Sequence, residues 1–235
     1  MTLFSLLLAL AAVLGLAWIT FDSSPRLRDA SLNAAVLVLL AALIGGRAAY
    51  VAPNWPYFQN HLIEIPQVWL GGLAWPGALA GAILGVLVAA RVSEFPVAVL
   101  ADRLMPLLAS LAVAVWLGCW VTGCAYGQEA DWGLPAKDEW GIWKSRLPLQ
   151  LIGAVLTVAS LWSVERFRQR KKNLSSGLTA SLGLGLLCLI LLGASILRAD
   201  PYPVYSGLRL ETWAAIALLV ISILSGSYAI IKGRR

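Results

Sequence analysis

The chain has 235 residues and a formal net charge of +6, and 60% of it is hydrophobic against 13% charged. A soluble domain carries about a quarter charged residues, so the composition excludes an ordinary soluble domain and leaves no room for one beside a membrane domain. The basic residues cluster in short loops next to apolar runs, which makes nucleic acid an unsuitable partner.

Charge-free stretches cover 1–21, 30–46, 65–90, 104–128, 147–164, 173–197 and 212–231. A helix needs about 20 apolar residues to cross a hydrocarbon core of about 30 Å. The sequence therefore predicts an all-α polytopic membrane protein with about seven transmembrane helices, forming a single helical domain over 1–235. The first stretch has no Lys or Arg ahead of its apolar core, unlike a secretory signal, so it reads as a retained helix. Twelve Lys and Arg fall on one side of the predicted spans, including Lys172, Arg234 and Arg235, and six on the other. The crowded side should be cytoplasmic, which puts the N-terminus outside and the C-terminus inside.

Further along the chain, Arg47 ends the second span just after Gly45 and Gly46. The loop 50–69 that follows is rich in Pro, Trp and polar residues; its His61, the one histidine of the chain, reads as a loop residue rather than a base. The "GGLAWPG" segment (71–77) should break or distort the helix there, and such backbone is tolerated at membrane depth where it lines a cavity. Beyond it, Gly77, Gly81 and Gly85 should form a face that packs closely on another helix.

The fourth span closes on "WLGCWVTGCAYG" (116–127). Cys119 and Cys124 fit no standard zinc spacing. In an uninterrupted helix, residues five apart do not point the same way. A disulfide requires a break at Gly123, and packing is the expected role. A second long outer loop, 128–148, leads to Arg146 before the fifth span. The basic loop 165–172 should lie against anionic lipid heads. The sixth span holds Cys188, read as a small buried hydrophobe, and ends at Arg198. Three arginines at outer span ends suit the phosphate of a phospholipid head group. A small-solute transporter would be expected to show an internal repeat, which is absent.

Several of these segments, in order, resemble the prolipoprotein diacylglyceryl transferase family of bacterial inner membranes. "GGRAAYV" resembles the family's Gly-Arg-Leu-Gly-Tyr stretch, and "QVWLGGLAWPGALAGAILG" its Trp-x-Gly-Gly segment with Phe-His-Gly-Gly. "LGCWVTGCAYG" resembles the signature, "SRLPLQL" the Arg-His-Pro-x-Gln-Leu-Tyr-Glu stretch, and "LRADP" with "GLRLETWAAIALLVIS" the closing segment. The resemblance implies transfer of the diacylglyceryl group of phosphatidylglycerol to the lipobox cysteine thiol of a prolipoprotein, in the bacterial plasma (inner) membrane. It implies no metal and no other cofactor. The partners would be a phosphatidylglycerol-like membrane phospholipid and a prolipoprotein signal peptide.

Carried over residue by residue, Arg47, Arg146 and Arg198 would bind the head group, and Tyr50, Trp69, Gly72, Cys119, Cys124, Tyr126 and Gln150 would line the site. The departures matter equally. The family histidine falls at Pro76, the signature arginine at Trp116, and the glutamate of Gln-Leu-Tyr-Glu at Gly153. With no residue assigned as catalytic, the alternative is a non-catalytic lipid- or lipoprotein-binding membrane protein on the same scaffold.

Overall fold

The computed structural model describes residues 3–21, 24–171 and 174–233. Lys172, Arg234 and Arg235, counted above for orientation, lie outside them. Nine α-helices occur among the described residues: α1 (Leu3–Thr20), α2 (Pro25–Val51), α3 (Trp55–Phe58), α4 (Trp75–Val92), α5 (Val97–Arg103), α6 (Met105–Thr122), α7 (Leu149–Arg170), α8 (Leu178–Leu197) and α9 (Leu210–Gly233). Two small antiparallel hairpins join them, β1 (Glu129–Lys137) with β2 (Trp143–Arg146), and β3 (Val204–Tyr205) with β4 (Leu208–Arg209).

Helices α1, α2, α4, α6, α8 and α9 are long and apolar enough to cross a bilayer. Helix α7 occupies the fifth predicted span at 22 residues. It is less apolar because its C-terminal half carries Ser160, Ser163, Glu165 and three arginines. This is an all-α polytopic membrane protein. Its helices present side chains such as Leu14, Trp18, Val155, Val220 and Leu224 outward, as lipid-facing surfaces do. Polar side chains inside the helices are satisfied locally. Thr157 donates to the Gly153 carbonyl at 2.7 Å, and the Ser181 and Ser225 hydroxyls meet at 2.8 Å between α8 and α9.

The chain divides into two compact units, one of Met1–Trp18 with Met105–Arg235, the other of Ile19–Leu104. In the second, α2 packs on α4 along small residues. A methyl group at Gly77 or Gly81 would run into the carbonyl oxygens of Gly45 and Ala41, and one at Gly85 would lie 2.8 Å from the Val38 Cα. The glycine face thus serves close packing, as its spacing suggests. The predicted third span is helical only from Trp75. Gly71 and Gly72 adopt φ of +96° and +76°, and Pro76 sits in the first turn of α4, where a missing N–H costs nothing. The Gly71 and Gly72 carbonyls of this distorted backbone face the Arg47 guanidinium.

In the first unit α6 packs on α7, α7 on α8 and α8 on α9. A buried core cluster here is built from Trp116, Cys119, Ala125, Leu149, Ala154 and Ala194.

Candidate functional site

Helix α6 ends at Thr122, and the N–H groups of Gly123 and Cys124 both return to the Cys119 carbonyl, at 2.9 and 3.1 Å. Gly123 takes the left-handed conformation (φ +79°) that glycine accepts without penalty at a helix end. This turn brings the Cα atoms of Cys119 and Cys124 to 4.5 Å, and the two are joined by a disulfide. The expectation of packing alone is corrected: the helix is interrupted, and the five-residue spacing closes a tight covalent loop. Among the described residues Cys188 is the free cysteine, fully buried in α8. Denatured, unreduced protein should therefore expose one alkylatable thiol and reduced protein three, counted by intact mass. Cys119→Ser with Cys124→Ser should lower stability by about 2 kcal/mol, as expected for a loop this short.

The crosslinked turn organises the residues around it. Gln150, 1% exposed in the first turn of α7, donates its amide to the Cys124 carbonyl at 2.9 Å. Arg146, 5% exposed at the end of β2, lays its guanidinium over the Tyr126 ring at 4.3 Å. Arg146 also faces Asp138 at 3.4 Å and Glu129 at 3.8 Å. The Tyr126 phenol is pushed well above its ordinary pKa, first by burial and next by the Glu139 carboxylate. Glu129, exposed, is held below the usual carboxylate range, chiefly by its hydrogen bond from Lys144. Cys119, Cys124, Tyr126, Arg146 and Gln150 are thus brought together.

Backbone bonds tie the same turn to the end of α8. The Ala199 N–H donates to the Tyr126 carbonyl at 3.0 Å and the Gln128 N–H to the Leu197 carbonyl at 3.1 Å. Arg198 lies here, but its side chain turns to carboxylates. Its Nη1 donates to Glu211 at 2.7 Å, and its Nε to Asp200 at 2.8 Å, with a second, shorter contact from Nη2. Arg209 completes a ring through Glu211 at 2.7 Å and Asp200 at 3.3 Å. Burial alone would lower the Arg198 pKa, but the Asp200 and Glu211 carboxylates reverse that and raise it. Two arginines and two carboxylates cancel. Asp200, Arg209, Glu211 and Asp138 are partners that sequence reasoning missed. The signal available was a short run, "RADP" to "LRLE", with equal numbers of each sign.

The remaining candidates sit in the other unit. Arg47, 8% exposed, gives Nε to the Ile65 carbonyl at 2.7 Å, Nη1 to those of Gly71 and Gly72 at 2.8 and 3.0 Å, and Nη2 to that of Glu64 at 2.6 Å. It is a clamp on the 62–72 backbone. Tyr50 and Phe58 flank it, with ring centroids 5.6 and 5.2 Å from the guanidinium carbon. Gly72 is confined by them, since a Cβ there would lie 2.5 Å from Arg47 Nη1. Arg47, Tyr50 and Gly72 therefore meet, while Trp69 is largely exposed. His61 stacks on Tyr57 at 4.2 Å on the loop surface.

Trp116 and Gly153 turn out to be one feature. Trp116 is buried, and a Cβ on Gly153 would lie 2.6 Å from its indole ring. The large side chain fills the space that the absent one leaves.

A sequence model described as prolipoprotein diacylglyceryl transferase matches residues 1–228. The chain belongs to the prolipoprotein diacylglyceryl transferase family. Among curated relatives, the phosphatidylglycerol–prolipoprotein diacylglyceryl transferase of Geobacillus kaustophilus is 31% identical over 205 residues, covering 80% of this chain and 73% of that one. The protein of the same name from Thermosynechococcus vestitus is 28% identical over 174 residues (70% and 62%). That from Listeria welshimeri is 32% identical over 129 residues (54% and 45%). The chain thus spans less than two thirds of the length of the last two relatives.

The Trp116–Gly153 contact joins the two positions at which the resemblance would have placed arginine and glutamate.

Proposed function

We propose that the protein transfers the diacylglyceryl group of phosphatidylglycerol to the lipobox cysteine thiol of a prolipoprotein, at the outer face of a bacterial inner membrane. The relatives' names supply the substrates. The observation that carries the reading is Arg146, a buried guanidinium at the end of β2, just before α7, that keeps an unpartnered Nε–H.

In the reaction the thiol gives up its proton, a sulfur–carbon bond forms at the diacylglyceryl carbon, and the carbon–oxygen bond to phosphate breaks. Glycerol phosphate leaves with that bond's electron pair. Negative charge grows on the leaving phosphate, and a fixed cation in a water-poor site stabilises it. Arg146 is the best placed of the three arginines, because Arg198 is balanced by Asp200 and Glu211 and Arg47 is spent on carbonyls. On this reading Arg198 shapes the site around Arg146, with Cys119, Cys124, Tyr126 and Gln150 lining it. With Pro76 offering no imidazole, the thiol proton passes to the departing phosphate, whose oxygen gains the electron pair of the broken bond.

A second reading, binding of lipid or lipoprotein without transfer, is favoured by the Trp116–Gly153 contact, which removes a cation from the signature. The two separate in cells depleted of their own transferase. Expression of this chain should restore diacylglyceryl-modified lipoprotein, read by mass spectrometry. Unmodified precursor alongside normal membrane insertion would leave the binding reading standing instead.

A further inference from the structure

Within the second unit, the close packing of α2 on α4 gives way to a pocket at one end. The glycines that let the two backbones approach stop at Gly85. Helix α4 ends at Val92, Ser93 turns extended (φ −110°, ψ 166°), and Pro96 disfavours helical geometry in the residue before it. The space left between the N-terminal end of α2 and the C-terminal end of α4 is about 270 Å³. Arg26, Ala30, Asn33 and Leu37 recur at steps of four, three and four, so one face of α2 forms a wall. The buried Ala34 and Ala89 close the inner end.

Arg26 and Glu94 are the two charged residues that line it. The Arg26 Nη2 lies 2.7 Å from a Glu94 carboxylate oxygen, yet the side chains are 77% and 70% exposed. Water screens a pair this open, so it holds weakly and gives way to a ligand that offers each charge its opposite. Arg28 is turned to Asp29 at 3.3 Å instead. Asn33 adds an amide that can both donate and accept. The pocket is thus apolar inside and carries one charge of each sign at its rim.

Its place in the helices narrows the ligand. With 27 residues, α2 is about 40 Å long, more than the hydrocarbon core of about 30 Å requires. Arg26 is the second residue of α2 and Glu94 lies two residues past α4, which puts both at the membrane–water boundary among lipid head groups. An anionic head group would satisfy Arg26 but crowd the Glu94 carboxylate. A zwitterionic one brings a phosphate for Arg26 and an ammonium for Glu94, and leaves neither side unpaired.

We propose that this pocket binds the head group of an aminophospholipid, of the phosphatidylethanolamine kind, in the leaflet that meets the N-terminus of α2. Arg26 takes the phosphate, Glu94 takes the primary ammonium, and Ala30 and Leu37 meet the glycerol and the first methylenes. The Arg26–Glu94 pair opens as the lipid enters. All the residues belong to the second unit, so the proposal does not depend on the transfer reading.

The test uses the full chain purified in a nonionic detergent, titrated with short-chain lipids and followed by native mass spectrometry. Phosphatidylethanolamine should bind about threefold better than phosphatidylglycerol at this site, the size expected of exposed charges. Glu94→Gln, on an exposed side chain that folding does not need, should remove that preference by weakening phosphatidylethanolamine alone. Ala30→Phe fills the pocket from a half-buried position and should reduce phosphatidylethanolamine binding at least as much, with the melting temperature measured alongside. Equal binding of the two lipids by the unaltered protein overturns the proposal. So does a preference that survives Glu94→Gln, or phosphatidylethanolamine binding undiminished in Ala30→Phe, since either places the lipid elsewhere.

Discussion

Trp116→Arg together with Gly153→Glu should be more stable than either single variant, with a coupling of about 2 kcal/mol or more. The expectation comes from the way the two positions meet. Gly153→Glu alone forces a side chain onto an indole ring that a Cβ would already approach to 2.6 Å, and overpacking of this kind costs about 1–3 kcal/mol. Trp116→Arg alone places a guanidinium at a position only 5% exposed within a membrane-spanning helix, at a cost of about 2.5–3.5 kcal/mol. In the double variant the ring is gone, and the introduced charges lie within reach of each other. Neighbouring residues are where additivity fails. Thermal unfolding of all four proteins in one detergent measures the coupling. A double variant as unstable as the sum of the singles would mean that the two replacements arose independently of their contact.

The second large effect is expected at Glu211. Its side chain is 1% exposed in the first turn of α9 and receives both Arg198 and Arg209 at 2.7 Å. Glu211→Ala leaves two buried guanidinium groups sharing Asp200. Breaking a buried pair from one side costs about 3–5 kcal/mol, because the remaining charge stays desolvated. Glu211→Gln keeps the shape and one acceptor oxygen and should cost less. Protease cleavage of the 198–211 segment in sealed vesicles, alongside the melting temperature, would register the loss. Wild-type protection in Glu211→Ala would show that the charges are better hydrated than their burial implies.

The helices were legible because a bilayer leaves few alternatives. Runs without charge must be helical where backbone groups have no water to bond, and the seven runs each hold a long helix. The arginines at span ends were legible for the same reason, since charge at that depth stands out. Their partners were not. Arg47 finds four carbonyls between Glu64 and Gly72, and Arg146 finds Asp138 across a hairpin turn. Neither pairing has a spacing that sequence alone distinguishes. The disulfide stayed open in the sequence, because an uninterrupted helix would point the two cysteines apart. Gly123 marked the stop, but only its left-handed conformation shows that the following residue folds back onto Cys119. The Trp116–Gly153 contact was legible in principle. Two departures from one family pattern, one side chain gained in bulk and one lost, are what a compensated contact looks like before its geometry is known.

The crosslinked turn also bears on how the protein is made. A nascent helix enters the bilayer with Cys119 and Cys124 reduced, and the covalent loop closes only where an oxidising machinery can reach it. Where both thiols stay on a reducing side, the turn beside Gln150 and Tyr126 is left without its crosslink. The six residues from Cys119 to Cys124 therefore tie the shape of this turn to the redox state of the compartment that it meets.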